Sequence, residues 1–278
     1  MNDPQTIASA PAPDPAGPRP RMHLVGCHRS GTTLIMELLW HCFRFGGRVP
    51  HEASLFEPIP DGDGVYLTKK PPDTRWIEAV FPADRNLYVL AMIRDPRSVI
   101  SSMHAAKPGR YFRSYHVWED FDRVIERLED HPRFFCLRYE SLLADPAAAQ
   151  AQIAARFPFL KRTGAFGDFP DGFDIDPGAA TSLNGARPFE ATRVRSWEDH
   201  LPRVKAQLAQ HPQMTEALIR RGYEEDAGWT AMLDSVAPAH QQFKNARPGP
   251  LRRFETWLRF QRRIARYRRA RGLHAATS

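Results

Sequence analysis

The segment VGCHRSGTTLI at positions 25–35 contains residue types that bind phosphate groups through the backbone. Gly26 and Gly31 stand at the spacing of the phosphate-binding loop G-x-x-x-x-G-K-[ST]. Thr32 occupies the position of the loop lysine, whereas Arg29 supplies a cation from inside the loop. The pattern therefore predicts a cradle for an anion, but not for the terminal phosphates of a magnesium nucleotide.

A second segment, VLAMIRDPRSVISSMH at 89–104, joins an apolar strand to a basic residue. Arg94 follows the strand, at the carboxyl end where ligands bind in parallel sheets. Asp95 and Pro96 predict the start of a helix, because aspartate caps an N-terminus and proline fits the first turn. Ser102 comes eight residues after Arg94, about two turns into that helix, so both side chains can face one anion.

Both segments need a scaffold of alternating strands and helices. The run MHLVG before the glycine loop predicts a buried parallel strand, and TTLIMELLWHCF after it has apolar residues at helical spacing. Further strands are predicted at 64–70, 86–93 and 133–142, and helices at 74–81, 97–105, 117–129, 145–156, 198–209 and 212–222. This alternation predicts an α/β chain, with a three-layer fold of the P-loop type in which helices flank a central, mostly parallel sheet.

Together the two segments resemble the sulfotransferases that use 3′-phosphoadenosine 5′-phosphosulfate (PAPS). The form R-S-G-T-T is similar to that of the tyrosylprotein and bacterial branches of this family. The resemblance implies that Arg94 and Ser102 hold the 3′-phosphate and that the glycine loop holds the 5′-phosphosulfate. The loop residues so implied are Arg29, Ser30, Gly31, Thr32 and Thr33.

Three other stretches are similar to the family in the same order. LTKKPPD offers the K-x-P element whose lysine lies beside the sulfo group; both Lys69 and Lys70 fit it, and Lys69 is preferred. LRYESLLADP, at 137–146, resembles a stretch with a mainly structural role. RPFEATRVRSW, at 187–197, resembles the late segment whose basic residue folds over the 3′-phosphate, with Trp197 closing it. The basic residue is taken as Arg187, with Arg193 and Arg195 as alternatives.

Transfer to an acceptor hydroxyl needs a general base within hydrogen-bond reach of that hydroxyl. The resemblance implies a glutamate shortly after the first helix, in GGRVPHEASLFEP, and Glu52 is the preferred residue. His51 and Glu57 remain alternatives, and so does a structural role for Glu52 as a cap or an arginine partner. The implied catalytic residues are therefore Glu52, Lys69 and Arg29.

The implied function is transfer of the sulfo group of PAPS, in line and without a metal, to a hydroxyl of a glycan, lipid, peptide or small molecule. The product is then 3′,5′-ADP (PAP). The alternative is a kinase-like, nucleotide-binding phosphotransferase of the phosphate-loop class. Thr32 at the lysine position argues against that alternative, because such enzymes use the lysine on the terminal phosphates.

The composition of the 278 residues is that of a globular protein, with no run of about 18 apolar residues to cross a membrane. Residues 1–21 are rich in proline and alanine and lack an apolar signal core, so we expect a disordered tail. The three cysteines share no metal-ligand spacing and fit a reducing compartment, which predicts a cytoplasmic protein without a metal site. Cys27 is either a small loop residue or a reactive thiol.

The end of the chain differs from the domain predicted at 22–243. Residues 244–278 hold 11 lysines and arginines against one acid, so they carry +10 and leave the first 243 residues at −3 of the total of +7. On a helical wheel the segment is a basic amphipathic helix, with aromatic residues on one side and arginines on the other. It predicts either attachment to an anionic membrane surface, on the inner face of a membrane, or packing of the aromatic stripe on the domain. Nucleic acid is the weaker candidate, since no recognition motif accompanies the charge.

Overall fold

A computed structural model describes residues 8–103, 109–183, 189, 194–239 and 250–273 of the chain. Its centre is a sheet of five parallel strands in the order β2-β3-β1-β4-β5. The strands are β1 (Arg21–Gly26), β2 (Gly47–Arg48), β3 (Tyr66–Lys69), β4 (Leu87–Ile93) and β5 (Phe134–Arg138). The predicted α/β fold with a mainly parallel sheet flanked by helices is confirmed.

The two central strands, β1 and β4, are wholly buried because helices cover both faces of the sheet, and β4 is an uninterrupted apolar run. Every residue of β1 and of β4 is buried. The two strands pair in register from Arg21 and Leu87 to Gly26 and Met92, so the loop after β1 and the residues after β4 begin at one edge. This register places the glycine loop and the residues that begin at Arg94 side by side.

Nine α-helices connect or follow the strands in the described residues. They are α1 (Thr32–Cys42), α2 (Pro96–Ser101), α3 (Tyr115–Leu128), α4 (Tyr139–Ala144), α5 (Pro146–Arg156), α6 (Pro177–Ser182), α7 (Leu201–Gln210), α8 (Met214–Arg220) and α9 (Pro250–Ala270). Short 3₁₀ helices span Pro71–Ala79, Phe166–Asp168, Ser196–His200 and Ala227–Leu233.

Two predicted elements end four residues earlier than the sequence predicts. The strand predicted at 133–142 ends at Arg138, because the following turn is the helix α4, which buries Leu142 and Leu143. The helix predicted at 97–105 ends at Ser101, so Ser102 is its C-terminal cap rather than a residue of its second turn.

Three hydrophobic clusters hold the layers together. One face of the sheet packs on α1 and α5, with Leu38 and Ile153 fully buried there. The opposite face packs on the 3₁₀ helix Pro71–Ala79, on α3 and on α9. A third cluster surrounds Trp118 and Trp197 near the carboxyl end of β4, where α2, α3, α7 and α8 meet. This last cluster supports the edge at which the basic segments lie.

The predicted disorder of residues 1–21 is wrong for residues 8–20, which lie on the domain; residues 1–7 are outside the described residues. The backbone N–H of Ala10 donates to the carbonyl oxygen of Arg156 at 2.6 Å, and the hydroxyl of Tyr88 donates to Pro11 at 2.9 Å. The Arg19 guanidinium donates to backbone carbonyl oxygens of five residues between positions 46 and 64. Composition alone suggests a tail, but these hydrogen bonds offset the entropy of ordering it.

The basic segment at the end of the chain forms α9, and its aromatic side packs on the domain. The ring of Phe260 lies 4.1 Å from that of Trp76, and Tyr267 packs edge-on against Phe56. Ile264 and Tyr267 are buried. No helix of the described residues is long and apolar enough to cross a membrane.

Candidate active site

The glycine loop between β1 and α1 needs its two glycines for steric reasons. Gly26 has φ 139°, and a Cβ on it would lie 2.3 Å from the carbonyl oxygen of Met92. Gly31 has φ 90° and caps the N-terminus of α1, and a Cβ on it would lie 2.5 Å from Cδ2 of Tyr139. Arg29 also has a left-handed φ of 68°. Only a glycine avoids both the backbone strain and the contacts at the two positions.

Hydrogen bonds inside the loop fix its shape. The Ser30 hydroxyl donates to the carbonyl oxygen of Cys27 at 2.5 Å, and the Ser30 N–H donates to the same oxygen at 3.2 Å. The N–H of Gly26 donates to Oγ1 of Thr74 at 2.9 Å. Thr32 is buried at the start of α1. The loop therefore brings the N-terminus of α1 to the sheet edge, and the first N–H groups of a helix, which have no partner within it, are a typical anion site.

Lys69, the last residue of β3, supplies a cation to this loop from the neighbouring strand. Its side-chain amine donates to Oγ1 of Thr33 at 2.9 Å, and the residue is 2% exposed. Burial lowers the pKa of Lys69, while the nearby charge of Glu52 opposes that shift. Lys70 points elsewhere, with its amine 3.9 Å from a carboxylate oxygen of Glu52. Of the two candidate lysines, the structure thus places Lys69 at the loop.

Arg94 reaches the loop from the other flank. It directly follows β4, which neighbours β1 on the side opposite β3. Its Nη1 donates to the carbonyl oxygen of Arg29 at 3.1 Å, and its guanidinium stacks at 4.4 Å over the ring of Tyr139. Burial lowers the pKa of Arg29, and the positive charge of Arg94 lowers it further. Arg29, Lys69 and Arg94 therefore concentrate positive charge around one loop, an arrangement that favours a bound anion.

Ser102 lies farther along the same chain segment, half-buried, at the end of α2. Its carbonyl oxygen accepts the N–H of Phe112 at 2.8 Å. Asp95 caps α2 by accepting the N–H of Arg97 at 2.7 Å, so the predicted helix start is confirmed.

The late basic segment is only partly described. Arg187 and Arg193 lie outside the described residues, and Arg195 is exposed and pairs with Glu198. Trp197 is 2% exposed and packs at 4.0 Å on the guanidinium of Arg97, inside the third cluster. Its observed role is therefore in the hydrophobic core beside α2.

The three candidate bases differ in their surroundings. Glu52 is partly exposed and its carboxylate reaches Lys70 at 3.9 Å, while its charge acts on Lys69. His51 is exposed. Oε1 of Glu57 accepts the N–H of Ser54 at 3.0 Å, which gives that carboxylate a structural partner. Among them, Glu52 has the electrostatic link to the lysine of the loop.

A second basic group, which the sequence patterns do not single out, contains His28 inside the loop and Arg113, which contacts it. Nε and Nη2 of Arg113 lie 3.5 and 3.4 Å from the two ring nitrogens of His28. Burial, Arg113 and Arg75 lower the pKa of His28 to about 4, so the ring is neutral near pH 7. Burial raises the pKa of Cys27 to about 12, which keeps it a thiol and favours the small-residue interpretation.

Tyr139 has a larger part in the site than the sequence predicts. It belongs to LRYESLLADP, whose resemblance implies a mainly structural role. Its ring supports Gly31 on one side and Arg94 on the other. Its position directly after β5 is the signal that could have identified it, because β5 ends beside β4 at the same edge.

The arrangement can bind an anion and neutralise negative charge that develops on it. A cleft of about 740 Å³ exists elsewhere, between residues 14–21 and α9, at the amino ends of the strands. Within the described ranges, no group of three or more His, Cys, Asp or Glu residues is placed to hold a metal ion.

No family model matches the chain, and no curated protein matches it. Among solved structures, a sulfotransferase domain from the curacin biosynthetic pathway is similar at 14% identity and a TM-score of 0.47, over 65% of this chain and 90% of that one. The sulfotransferase domain of a Synechococcus olefin synthase is similar at 15% identity and a TM-score of 0.40, over 66% and 89%. A mouse sulfotransferase complexed with PAP is similar at 14% identity and a TM-score of 0.34, over 66% of each chain.

Proposed function

We propose that this protein is a sulfotransferase that moves the sulfo group of PAPS to a hydroxyl of an acceptor. One observation carries the proposal: Lys69 reaches the hydroxyl of Thr33 from the adjacent strand, while Thr32 is buried where a nucleotide kinase has its lysine. The cation of the loop thus comes from the side of the loop, where it can neutralise a leaving phosphate without a magnesium ion.

The loop fits such a co-substrate. The left-handed glycines leave room for a close approach to the backbone, and the helix N-terminus of α1 favours a phosphate. In this proposal Arg29, Lys69 and Thr33 hold the 5′-phosphosulfate, while Arg94 and Ser102 hold the 3′-phosphate. Tyr139 positions Arg94 by stacking under its guanidinium.

The chain's own residues would then have distinct tasks. When bound, PAPS supplies a sulfur whose bond to the 5′-phosphate oxygen breaks as a new bond to the acceptor oxygen forms. Glu52 accepts the proton that the acceptor hydroxyl loses. Lys69 and Arg29 stabilise the electron pair left on the phosphate of 3′,5′-ADP.

Calorimetric binding of 3′,5′-ADP, with ADP and ATP as comparisons and with or without magnesium, tests the proposal. We expect magnesium-independent preference for 3′,5′-ADP and a loss of about one to two decades in affinity for Arg94→Ala, since a charged hydrogen bond contributes ~1.5–3 kcal/mol. Arg123→Ala, an exposed arginine of α3, is the matched control and should bind as the wild type does. Preference for magnesium-ATP, or unchanged binding by Arg94→Ala, would reject the sulfotransferase in favour of the phosphotransferase.

A further inference from the structure

Buried polar side chains link β1 and β3 next to the segment that follows Glu52. Nε of Arg21 donates to the hydroxyl oxygen of Thr68 at 2.8 Å, and Nδ1 of His23 lies 2.8 Å from the same oxygen. Arg21, His23 and Thr68 are all buried. Burial of polar groups costs free energy unless hydrogen bonds compensate for it, so the partners of these side chains indicate what they hold in place.

The next member of this group is Asp73, in the first turn of the 3₁₀ helix Pro71–Ala79. Its Oδ2 lies 3.5 Å from Nε2 of His23. Burial opposes it, but hydrogen bonds to the charged form lower the pKa of Asp73, so the side chain is a carboxylate near pH 7. Burial lowers the pKa of His23, so its ring is neutral there. Because a carboxylate only accepts, we assign the ring proton to Nε2, and Nδ1 then accepts from Thr68.

Asp73 and Arg21 both bind the segment 54–57. Oδ2 of Asp73 accepts the hydroxyl of Ser54 at 3.0 Å and also the backbone N–H of Leu55. From the other side, the Arg21 guanidinium donates to three carbonyl oxygens of the same segment at 2.6, 2.9 and 3.1 Å. Two buried charged side chains thus fix this segment with hydrogen bonds of the stronger, charge-assisted kind.

The residues just before this segment are tied to the lysine of the glycine loop. The N–H of Ala53 donates to the carbonyl oxygen of Lys69 at 3.1 Å. Glu52, its neighbour in the chain, lies 3.9 Å from the amine of Lys70, and its charge acts on Lys69. The place of the Glu52 carboxylate therefore depends on how the segment after it is held.

The neighbour of Asp73 in the same turn holds the glycine loop. Oγ1 of Thr74 accepts the N–H of Gly26 at 2.9 Å and donates to the carbonyl oxygen of Pro71 at 2.8 Å. Two consecutive residues of one turn thus contact the start of the loop and the segment that follows Glu52. The spacing between these two parts of the site depends on that turn.

We propose that Asp73, supported by His23, is a positioning residue that fixes Glu52 relative to Lys69 and the glycine loop. The inference rests on the proposed function, in which Glu52 accepts the proton of the acceptor hydroxyl. Asp73 is buried and acts through the segment 54–57. A base works only within hydrogen-bond reach, and a displacement of about 1 Å can lower a rate ~100-fold. Loss of Asp73 should therefore lower the rate of transfer and leave nucleotide binding intact.

The pKa of Lys69, measured by NMR of its ε-carbon, reports the position of Glu52 without any substrate. The signal is identified by its absence from Lys69→Met. Glu52→Gln removes a neighbouring negative charge and should lower this pKa further. Asp73→Ala should also lower it, but should have no further effect once Glu52→Gln is present. Asp73→Asn keeps an oxygen acceptor for the segment and should restore most of the wild-type value.

Asp84→Ala is the matched control, because it also removes a fully buried carboxylate. It should leave the pKa of Lys69 unchanged even though it destabilises the protein. Ser54→Ala removes one of the hydrogen bonds to Asp73 and should lower the pKa of Lys69 by less than Asp73→Ala. It takes the place of Asp73→Ala if that variant does not fold.

Transfer from radiolabelled PAPS to para-nitrophenol is the second measurement. Asp73→Ala should lower kcat by about a hundredfold, while calorimetric affinity for 3′,5′-ADP stays within about twofold of the wild type. An equal change in the pKa of Lys69 by Asp84→Ala would overturn the proposal. So would a change by Asp73→Ala that persists in full with Glu52→Gln. A wild type that prefers magnesium-ATP would instead reject the sulfotransferase, and the pKa of Lys69 would still decide whether Asp73 positions Glu52.

Discussion

Gly31→Ala is the perturbation that most directly tests how the site is built. The new methyl group would lie 2.5 Å from Cδ2 and 2.9 Å from Cε2 of Tyr139, where an ordinary contact is at least about 3.5 Å. The backbone also keeps a φ of 90°, which costs a non-glycine residue ~1–2 kcal/mol. Overpacking against the ring adds ~1–3 kcal/mol, so we expect the free energy of unfolding to fall by about 2–5 kcal/mol.

Gly109→Ala is a matched control for the backbone part of this cost. Gly109 has a φ of 76°, and a Cβ on it would meet none of the described residues within 4 Å. Its substitution should therefore cost only the ~1–2 kcal/mol of the left-handed conformation. Urea unfolding followed by circular dichroism measures both variants.

The steric part should disappear when the ring is removed. In a Tyr139→Ala background, Gly31→Ala should cost about as much as Gly109→Ala, which gives a coupling energy of about 1–3 kcal/mol between Gly31 and Tyr139. Because the ring also stacks under Arg94, Gly31→Ala should weaken binding of 3′,5′-ADP even in protein that remains folded. Equal costs for Gly31→Ala and Gly109→Ala, or no coupling, would refute this account of the loop.

Three further predictions concern charge. His28 has a folded-state pKa of about 4 against about 6.5 when unfolded, so the unfolded chain binds the extra proton and stability falls as pH drops between these values, by up to ~1.4 kcal/mol per pH unit. Urea unfolding of His28→Gln should lack that part of the acid loss; a parallel decline would contradict it. Lys69→Met removes a desolvated charge, so its unfolding free energy should equal or exceed the wild type's while calorimetry shows affinity for 3′,5′-ADP lower by about one to two decades. Lower stability with unchanged affinity would assign Lys69 to structure instead. Asp84→Ala leaves Arg271 without its buried partner and should lower the free energy of unfolding in urea by ~3–5 kcal/mol. Adding Arg271→Met should recover part of this loss, and a loss that persists in full would exclude the ion pair as its origin.

The parts of this fold that could be predicted from sequence are those where a short stretch fixes its own structure. The wholly apolar run of β4 can only be a strand covered on both faces, and Asp95 with Pro96 can start a helix wherever they stand. The glycine loop is equally local, since its left-handed residues and its hydroxyls lie within a few positions of one another.

Contacts between distant segments set the rest, and no local pattern encodes them. The Arg113 side chain reaches a ring 85 positions earlier, at His28, and Thr74 accepts the N–H of Gly26 from 48 positions away. The ordered N-terminal segment is a similar case, because the carbonyl partners of Arg19 lie 27 to 45 positions later in the chain. Composition carries no information about these distant hydrogen-bond partners, and therefore it predicts a disordered tail.

The loop without a lysine can be understood from the order of the strands. β3 lies directly beside β1, so the last residue of β3 ends next to the start of α1. A lysine at this position can reach the loop from the side, and Lys69 donates a hydrogen bond to the Thr33 hydroxyl. On the other flank β4 delivers Arg94 to Arg29. Because each neighbouring strand supplies one cation, Thr32 can be buried without loss of positive charge at the site. Fixed positive groups from the two strands thus surround this loop, whereas a nucleotide kinase uses the lysine of the loop itself and a metal ion.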